Sequence, residues 1–372
     1  LAQQQDSLKK PIEIDFLFHY YEQDGIHSAV TGGMGTEKLE DRAGKIVIKV
    51  PLDSVQSLRA QTDINHYTSA STDLIDSYVS SASRRDSRAF VQLAYQRQIG
   101  AQYSAGGGAG MSIESDYISK SLAANWSWQS PDENRSLSLN AQAFFDTWIV
   151  IFPEELRAPG LVSVPTDRRR SFNLAANWGQ VIGPKVQAAF GAELVVQQGL
   201  LSTPFHRVFF QDQTQGQIEK FPLWRFKYPI GMRLNWFATD WMVVRSYYRY
   251  YFDSFDIRAH SLRLEVPLKL HLSLTLLPYY RFHTQTAAYF FAPFGQHLAA
   301  SDFYTSDFDL SAFQSHRLGM GLRFAPLYGL ARFRAGNQRV AMFKSLGLRY
   351  AYYTRSDGLY AHIFSLDMSW KL

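Results

Sequence analysis

The segment WRFKYPIGMRLNW, residues 224–236, alternates between large apolar side chains and mostly polar ones along its whole length. Successive side chains of a β-strand point to opposite faces, so this spacing is typical of a strand. The apolar face carries Trp224, Phe226, Tyr228, Ile230, Met232, Leu234 and Trp236, and the other face carries Arg225, Lys227, Gly231, Arg233 and Asn235. The segment therefore predicts a strand that separates an apolar environment from an aqueous one.

The same alternation recurs in about sixteen segments, each close to the roughly 9–11 residues that a tilted membrane-spanning strand requires. Examples are IEIDFLFHY (12–20), SLRAQTDI (57–64), SLSLNAQAFF (136–145), SFNLAANW (171–178), KVQAAFGAELV (185–195), KSLGLRYAYY (344–353) and the final FSLDMSWKL (364–372). The eight tryptophans lie near segment ends, where amphipathic rings meet a membrane interface. A soluble antiparallel sandwich would also alternate, but it would not need an apolar outer face with aromatic rims. We predict an all-β fold, a closed antiparallel transmembrane β-barrel of about sixteen strands.

Composition narrows the class of protein. Aromatic residues make up 15% of the chain, the mean hydropathy is only −0.21, and no apolar run approaches the ~18 residues of a membrane helix. The absence of cysteine excludes disulfides, thiolate metal sites and cysteine nucleophiles. A net charge of +5 without a dense basic cluster gives no reason to expect nucleic acid as a partner. Because the chain starts at Leu1, we expect a mature protein whose export signal has been removed.

Short connections rich in Pro, Gly, Asn and Asp alternate with long polar ones, as in outer-membrane barrels. The short ones are SPDEN (130–134), IGPK (182–185), FATD (237–240) and the bend at Pro267–Lys269; the long ones lie near 22–44, 68–87, 149–169, 199–221 and 284–314. We predict a periplasmic segment over 1–11 and a barrel over 12–372 in the bacterial outer membrane, with its long loops outside the cell. Residues 326–342 would form a longer periplasmic connection that could contact a partner.

The polar faces of the predicted strands are rich in arginine. We expect these side chains to line the lumen: Arg59, Arg88, Arg225, Arg233, Arg245, Arg249, Arg263, Arg281, Arg317, Arg323 and Arg349. Fewer acids share these faces, namely Glu13, Asp15, Asp63, Asp146, Glu193, Asp253, Glu265 and Asp367. Charges in a confined lumen must be paired or hydrated. Two interpretations follow, a salt-bridge lattice that rigidifies the wall and a pore that favours anions.

Two glycine-rich stretches suggest that a loop enters the barrel. Gly106, Gly108 and Gly110 share the lumenal face of one predicted strand, and a strand face without side chains often lets another backbone approach. The first long loop contains Gly32, Gly33, Gly35 and Glu37, and it is long enough to fold inward as a plug against that wall or across the mouth, with loop 68–87 packed on it. The alternative is that the strand glycines only allow the sheet to bend.

Acidic residues in the first two long loops are candidates for a calcium site. Asp24, Glu37, Asp73 and Asp76 could supply the oxygen ligands that calcium prefers, although their spacing does not match a calcium-binding EF-hand loop. The stretch TGGMGTEK is not a phosphate-binding loop, because it lacks Gly-Lys-Ser/Thr and precedes no helix. We therefore expect no cofactor apart from this calcium hypothesis.

Three segments resemble a known family. SAVTGGMGTE (28–37), TSASTD (68–73) and VSSASRRDSR (79–88) are similar to motifs of a Bacteroidota outer-membrane family described only as a domain of unknown function. Beyond these segments the resemblance rests on the barrel pattern. It implies an exported barrel of a kind often encoded near small lipoproteins, thioredoxin-like proteins and flavin-attaching enzymes, and thus a role in an envelope complex. It assigns no activity to any residue.

These observations favour a non-enzymatic function. The histidines occur without a Gly-x-Ser-x-Gly or other local catalytic motif. We predict an integral outer-membrane barrel that is a subunit or scaffold of an envelope complex, with its lumen constricted by its own loops, and with membrane lipids and a lipoprotein or other envelope protein as partners. The alternative is a passive, mildly anion-favouring pore or transporter for small solutes.

Overall fold

The computed structural model describes residues 11–69, 85–156, 165–335 and 339–372. Its strands are β1 (Glu13–Asp24), β2 (Leu39–Pro51), β3 (Gln56–Ser69), β4 (Arg85–Ile99), β5 (Tyr103–Ile113), β6 (Tyr117–Gln129), β7 (Arg135–Ile149), β8 (Thr166–Gly183), β9 (Val186–Gly199), β10 (Arg207–Val208), β11 (Gln217–Ile218), β12 (Trp224–Thr239), β13 (Met242–Asp253), β14 (Arg258–Glu265), β15 (Leu268–His271), β16 (Leu274–Gln285), β17 (Phe313–Phe324), β18 (Ala331–Ala335), β19 (Arg339–Arg355) and β20 (Tyr360–Lys371). Short 3₁₀ turns cover Ala29–Thr31, Glu154–Leu156 and Phe308–Leu310. Within the described ranges, no helix combines the length and the apolar character needed to cross a membrane.

Eighteen of these strands form one antiparallel sheet that closes on itself. β1 pairs with both β2 and β20, and β9 pairs with β12, so the described wall has no open edge. β14 and β15 occupy one wall position, and β18 pairs only with the start of β19. Sixteen strands therefore make up the wall, and the prediction of a closed sixteen-stranded barrel is confirmed. β1 starts and β20 ends at the same rim, the terminal end; the opposite rim is the loop end.

Strand register separates the two faces of the wall, because residues that pair across strands point to the same side. The inner face carries polar contacts, such as His19 Nδ1 to Ser365 Oγ at 3.1 Å and Ser369 Oγ donating to Asp15 at 2.6 Å. The outer face carries large, exposed apolar and aromatic side chains. Apolar residues of two predicted strands lie on it, namely Phe226, Ile230 and Leu234 of 224–236 and Leu366 and Met368 of 364–372.

Some predicted boundaries differ from the structure. The loop predicted over 22–44 is shorter, since β1 continues to Asp24 and β2 begins at Leu39. The bend at Pro267 is an interruption within one wall strand, between β14 and β15, and the turn itself lies at 272–273. Proline cannot donate to the hydrogen-bond ladder, so it breaks the strand without reversing the chain. The connection predicted over 326–342 contains β18, which pairs with the start of β19 at the terminal end.

Candidate functional site: the cap and the lumen

Three loops meet over the loop end of the barrel and form a cap, defined here as residues 25–38, 200–223 and 286–312. The first loop joins β1 to β2 and the second joins β9 to β12, so they arise from wall positions eight strands apart in a ring of sixteen. Nevertheless they touch: Arg207 Nη1 donates to the carbonyl of Val30 at 2.6 Å. Loops rooted on opposite sides of the ring can meet only by crossing the mouth. The cap therefore spans the opening.

Close packing in the cap depends on glycine at two positions of the first loop. Gly32 has φ of 83° and lies against the ring of Phe209, so that an added Cβ would come within 2.6 Å of it. Gly33 has φ of 90°, and its added Cβ would lie 2.8 Å from the carbonyl oxygen of Ser306. Residues other than glycine rarely adopt a backbone conformation with positive φ. At these two positions an added side chain would also collide with Phe209 or Ser306. Nearby, the ring of His27 stacks on Phe308 with 3.7 Å between centroids.

A small apolar core lies where the cap packs against the turn between β13 and β14. Phe255 is fully buried, and its ring packs edge-on against Phe290 and Phe221, with centroids 4.9 and 5.8 Å away. The Arg225 guanidinium lies 4.3 Å from the centre of the Phe255 ring and is held by Asp253 of the wall. Buried aromatic contacts of this kind stabilise a fixed arrangement. The cap is thus a packed layer anchored to the inner wall.

A cluster of ionisable side chains lies in the cap at His206, Glu219 and Asp307. His206 Nδ1 lies 3.4 Å from a Glu219 oxygen and 3.8 Å from an Asp307 oxygen. Glu219 also accepts from the Thr203 amide and the Thr305 hydroxyl. Burial tends to lower the pKa of His206, but Glu219, Asp307 and Asp309 outweigh it and raise this pKa. Burial and the charge of Asp309 raise the pKa of Asp307 to about 7, against the opposing effect of His206.

These shifts predict a pH-dependent cap. Both groups hold protons more tightly in the folded cap than in an unfolded chain. Their contribution to the stability of the cap is therefore complete at low pH and is lost as the pH rises through about 7. We expect hydrogen exchange of the 200–223 amides, corrected for intrinsic rates, to be slower at about pH 6 than at about pH 8. The Asp307→Asn variant should show a smaller difference. Equal protection at both pH values in the unmodified protein would contradict the prediction.

The eleven predicted lumenal arginines all occupy inner-face positions of the register. Four of them form ion pairs: Arg88 with Glu114, Arg225 with Asp253, and both Arg245 and Arg263 with Glu265. Among the described residues, the other seven make no ion pair, namely Arg59, Arg233, Arg249, Arg281, Arg317, Arg323 and Arg349. The inner wall is thus only partly a salt-bridge lattice.

The glycine wall of β5 does not receive the first loop, so this part of the plug prediction is wrong. Gly106, Gly108 and Gly110 do face inward, but the atoms nearest to their added Cβ positions belong to β4 and β6. Gln96 and Asn125 lean over Gly106, and Ser121 leans over Gly110. Atoms of the two neighbouring strands therefore occupy this space, while Gly32, Gly33, Gly35 and Glu37 lie in the cap. Most of the second loop, 70–84, lies outside the described residues.

Two of the four residues proposed for calcium, Asp24 and Glu37, lie in the described part of the chain. Asp24 accepts from the Gly25 amide and the Thr36 hydroxyl, and Glu37 accepts from the His27 amide at 3.1 Å, so both fix the shape of their own loop. Asp73 and Asp76 lie outside the described residues. A different acidic cluster lies at the loop end, where carboxylate oxygens of Asp86, Glu114 and Asp116 fall within 4.8 Å of one another.

This second acidic cluster is held by protein groups. Tyr67 donates to both Asp86 and Glu114 at 3.2 Å, and Ser115 donates to Asp86 at 2.7 Å. Burial raises the pKa of Glu114, and the two neighbouring aspartates add to this effect, whereas Tyr67 and Arg88 oppose it. Three carboxylates in this arrangement could supply oxygen ligands to a hard cation. Sequence reasoning missed the cluster because its members come from β4 and the β5–β6 turn, which only strand pairing brings together.

This chain is similar in fold to a solved outer-membrane protein and matches a family model. A solved bacterial polysaccharide outer membrane secretin is similar over 98% of this chain and 100% of its own, with a TM-score of 0.51 and 8% identity, which supports the fold alone. The siderophore receptor PirA from Pseudomonas aeruginosa aligns at 10% identity and TM-score 0.46, over 97% of this chain and 80% of its own. OccK9 (OpdG) from Pseudomonas aeruginosa aligns at 8% identity and TM-score 0.44, over 97% of this chain and 98% of its own.

No curated protein matches the sequence. A family model described as "Protein of unknown function (DUF3570)" matches residues 2–358.

Proposed function

We propose that this chain, which belongs to the family "Protein of unknown function (DUF3570)", is an integral barrel of the bacterial outer membrane whose mouth is closed by its own loops. In this proposal the barrel is a subunit or scaffold of an envelope complex, and it does not act as an open channel. The observation that carries the proposal is the contact of Arg207 with Val30, which joins loops from opposite sides of the ring.

The outer face supports insertion in a lipid bilayer. Large apolar side chains cover it, and aromatic rings gather at its rims, as in the stacked pair Phe343 and Trp370 near the terminal end. Barrels of this class place short turns in the periplasm and long loops outside the cell. With that orientation, the terminal end is periplasmic, the cap faces the outside, and membrane lipids cover the wall.

An exposed connection at the terminal end supports a protein partner. The β17–β18 connection bears Leu327 and Tyr328, which are 85% and 73% exposed. Exposed apolar side chains at the tip of a connection are a common feature of protein contact sites. A lipoprotein or other envelope protein at the periplasmic rim would cover these two side chains.

The second candidate is a pore that favours anions. The seven inner arginines without an ion pair in the described chain support it, because unpaired positive charge in a confined lumen concentrates anions. The two functions differ in the ion conductance expected of the intact protein. A capped scaffold conducts few ions, whereas a pore conducts them readily.

We expect deletion of residues 26–36 to open the barrel. The deletion removes Val30, Gly32 and Gly33 from the cap, so the contacts with Arg207, Phe209 and Ser306 are lost. In planar bilayers, the intact protein should conduct poorly, and the deletion should raise its conductance and favour anions, because the inner arginines then line open water. Met34→Ser, an exposed position of the same loop, should leave conductance unchanged. An intact protein that conducts like an open porin, with no change on deletion, would overturn the capped scaffold in favour of the pore.

A further inference from the structure

Three arginines stand side by side on the inner wall. Register pairs Arg263 of β14 with Arg281 of β16, and Arg281 with Arg317 of β17. Neighbouring strands lie ~4.8 Å apart, so the three positions follow one another across about 10 Å of wall. Tyr247 and Tyr353 occupy the next positions on either side. Like charges placed directly opposite each other destabilise a sheet, so the row requires a compensating interaction.

The protein supplies little of this compensation. Glu265 is the carboxylate at one end of the row, and it accepts from Arg263 at 2.7 Å and from Arg245 at 3.0 Å. Arg281 and Arg317 have no ion pair within the described ranges. The Nε atom of Arg317 is buried and has no hydrogen-bond partner. A buried donor of a charged group that lacks a partner costs free energy, unless a ligand or water accepts from it.

A cavity adjoins the row on the side of Arg263. It encloses about 490 Å³ and is lined by Arg233, Asn235, Arg245, Arg263 and Glu265. The Oδ1 atom of Asn235 is also buried without a partner. The cavity therefore combines three guanidinium groups and one carboxylate with room for a small solute.

We propose that the arginine row, defined as Arg263, Arg281 and Arg317, is a binding site for a small polyvalent oxyanion that carries at least two carboxylate or phosphate groups. Guanidinium groups present planar pairs of donors that match both kinds of oxyanion. A monovalent anion would neutralise only one member of the row, whereas a polyvalent one would bridge neighbours and remove the repulsion between them. This site goes beyond the capped-scaffold role and does not require an open mouth.

The test is calorimetric titration of the full chain in neutral detergent at low ionic strength, with pyrophosphate, citrate and chloride. Pyrophosphate or citrate should bind saturably and more tightly than chloride, and the tighter of the two identifies the class of anion. Arg281→Gln should weaken that binding about ten-fold or more, because a charge-assisted hydrogen bond is lost. If this variant does not fold, Arg317→Gln carries the same expectation.

Arg59→Gln is the matched control, since Arg59 also faces inward without an ion pair in the described chain but lies on β3, away from the row. It should bind as the unmodified protein does. The ligand-free Arg281→Gln protein should melt no lower than the unmodified protein, because the substitution relieves repulsion. Absence of saturable binding, or equal weakening by Arg59→Gln, would overturn the site. Neither outcome bears on the cap, which is tested by conductance.

Discussion

Leu366→Arg should prevent assembly of the barrel. Leu366 lies in the middle of β20 on the outer face, paired with Phe18 and Leu348. In a barrel that spans a bilayer, as we propose for this one, an arginine near the midplane on the lipid face costs roughly 2–4 kcal/mol. This cost destabilises β20, the strand whose pairing with β1 closes the ring. The whole barrel therefore fails to close when β20 cannot insert. Refolding into detergent or lipid, followed by gel electrophoresis with and without heating, should show loss of the compact, heat-modifiable form.

The matched control is the next residue. Asp367 faces inward and makes no ion pair with any described residue, so Asp367→Asn should leave most of the protein in the compact form. Two neighbouring positions thus test the two faces of one strand. Equal loss of the compact form in both variants would contradict the assignment of faces.

Phe255→Ala should loosen the cap while the wall stays closed. Removing a fully buried phenylalanine typically costs about 3–5 kcal/mol, because apolar contacts are lost and a cavity is left. Phe255 contacts rings from two cap loops and supports the guanidinium of Arg225, so the loss falls mainly on the cap. Hydrogen exchange should accelerate in residues 200–223 and 286–312 and change little in the wall strands. Conductance should rise toward that of the 26–36 deletion.

Tyr289→Ala is the control for this substitution. Tyr289 also touches Phe290 edge-on, with centroids 4.9 Å apart, but it is 54% exposed. Removal of its side chain should change the hydrogen exchange of the cap amides far less than Phe255→Ala does. If Phe255→Ala leaves cap exchange unchanged, the aromatic cluster is not what holds the loops together.

The wall could be predicted from the sequence because its determinant is local. Alternation with a period of two identifies each strand and assigns its faces, and each paired strand then inherits the same assignment. Alternation assigns Arg281 to the inner face and Leu366 to the outer face, where the structure has them. Turn chemistry was almost as informative, since SPDEN matches the connection between β6 and β7 over 130–134. The prediction of a turn at Pro267 is wrong, because proline marks an interrupted strand as readily as a turn.

The contacts within the cap and the arginine row could not be predicted, because they depend on pairings between distant parts of the chain. Arg207 and Val30 are 177 positions apart, and nothing in the sequence indicates that they are in contact. Alternation places Arg263, Arg281 and Arg317 on the inner face. It does not reveal that strand register pairs them directly across neighbouring strands. The β5 glycines show the same limit, since a bare strand face does not reveal whether a loop or the neighbouring side chains will cover it.

The pairing of β1 with β20 also sets the order in which the protein can fold. Ser369 and Asp15 are hydrogen-bonded although 354 positions separate them, so the seam joins β1 to β20, the first and last strands of the described wall. Contacts of such long range form slowly, because the entropy of closing the intervening chain must be overcome first. Until then, both edges of the curved sheet display unpaired backbone groups, which favour aggregation. A chain truncated before β20 would keep those edges permanently. Assembly is therefore complete only when β20 has paired with β1.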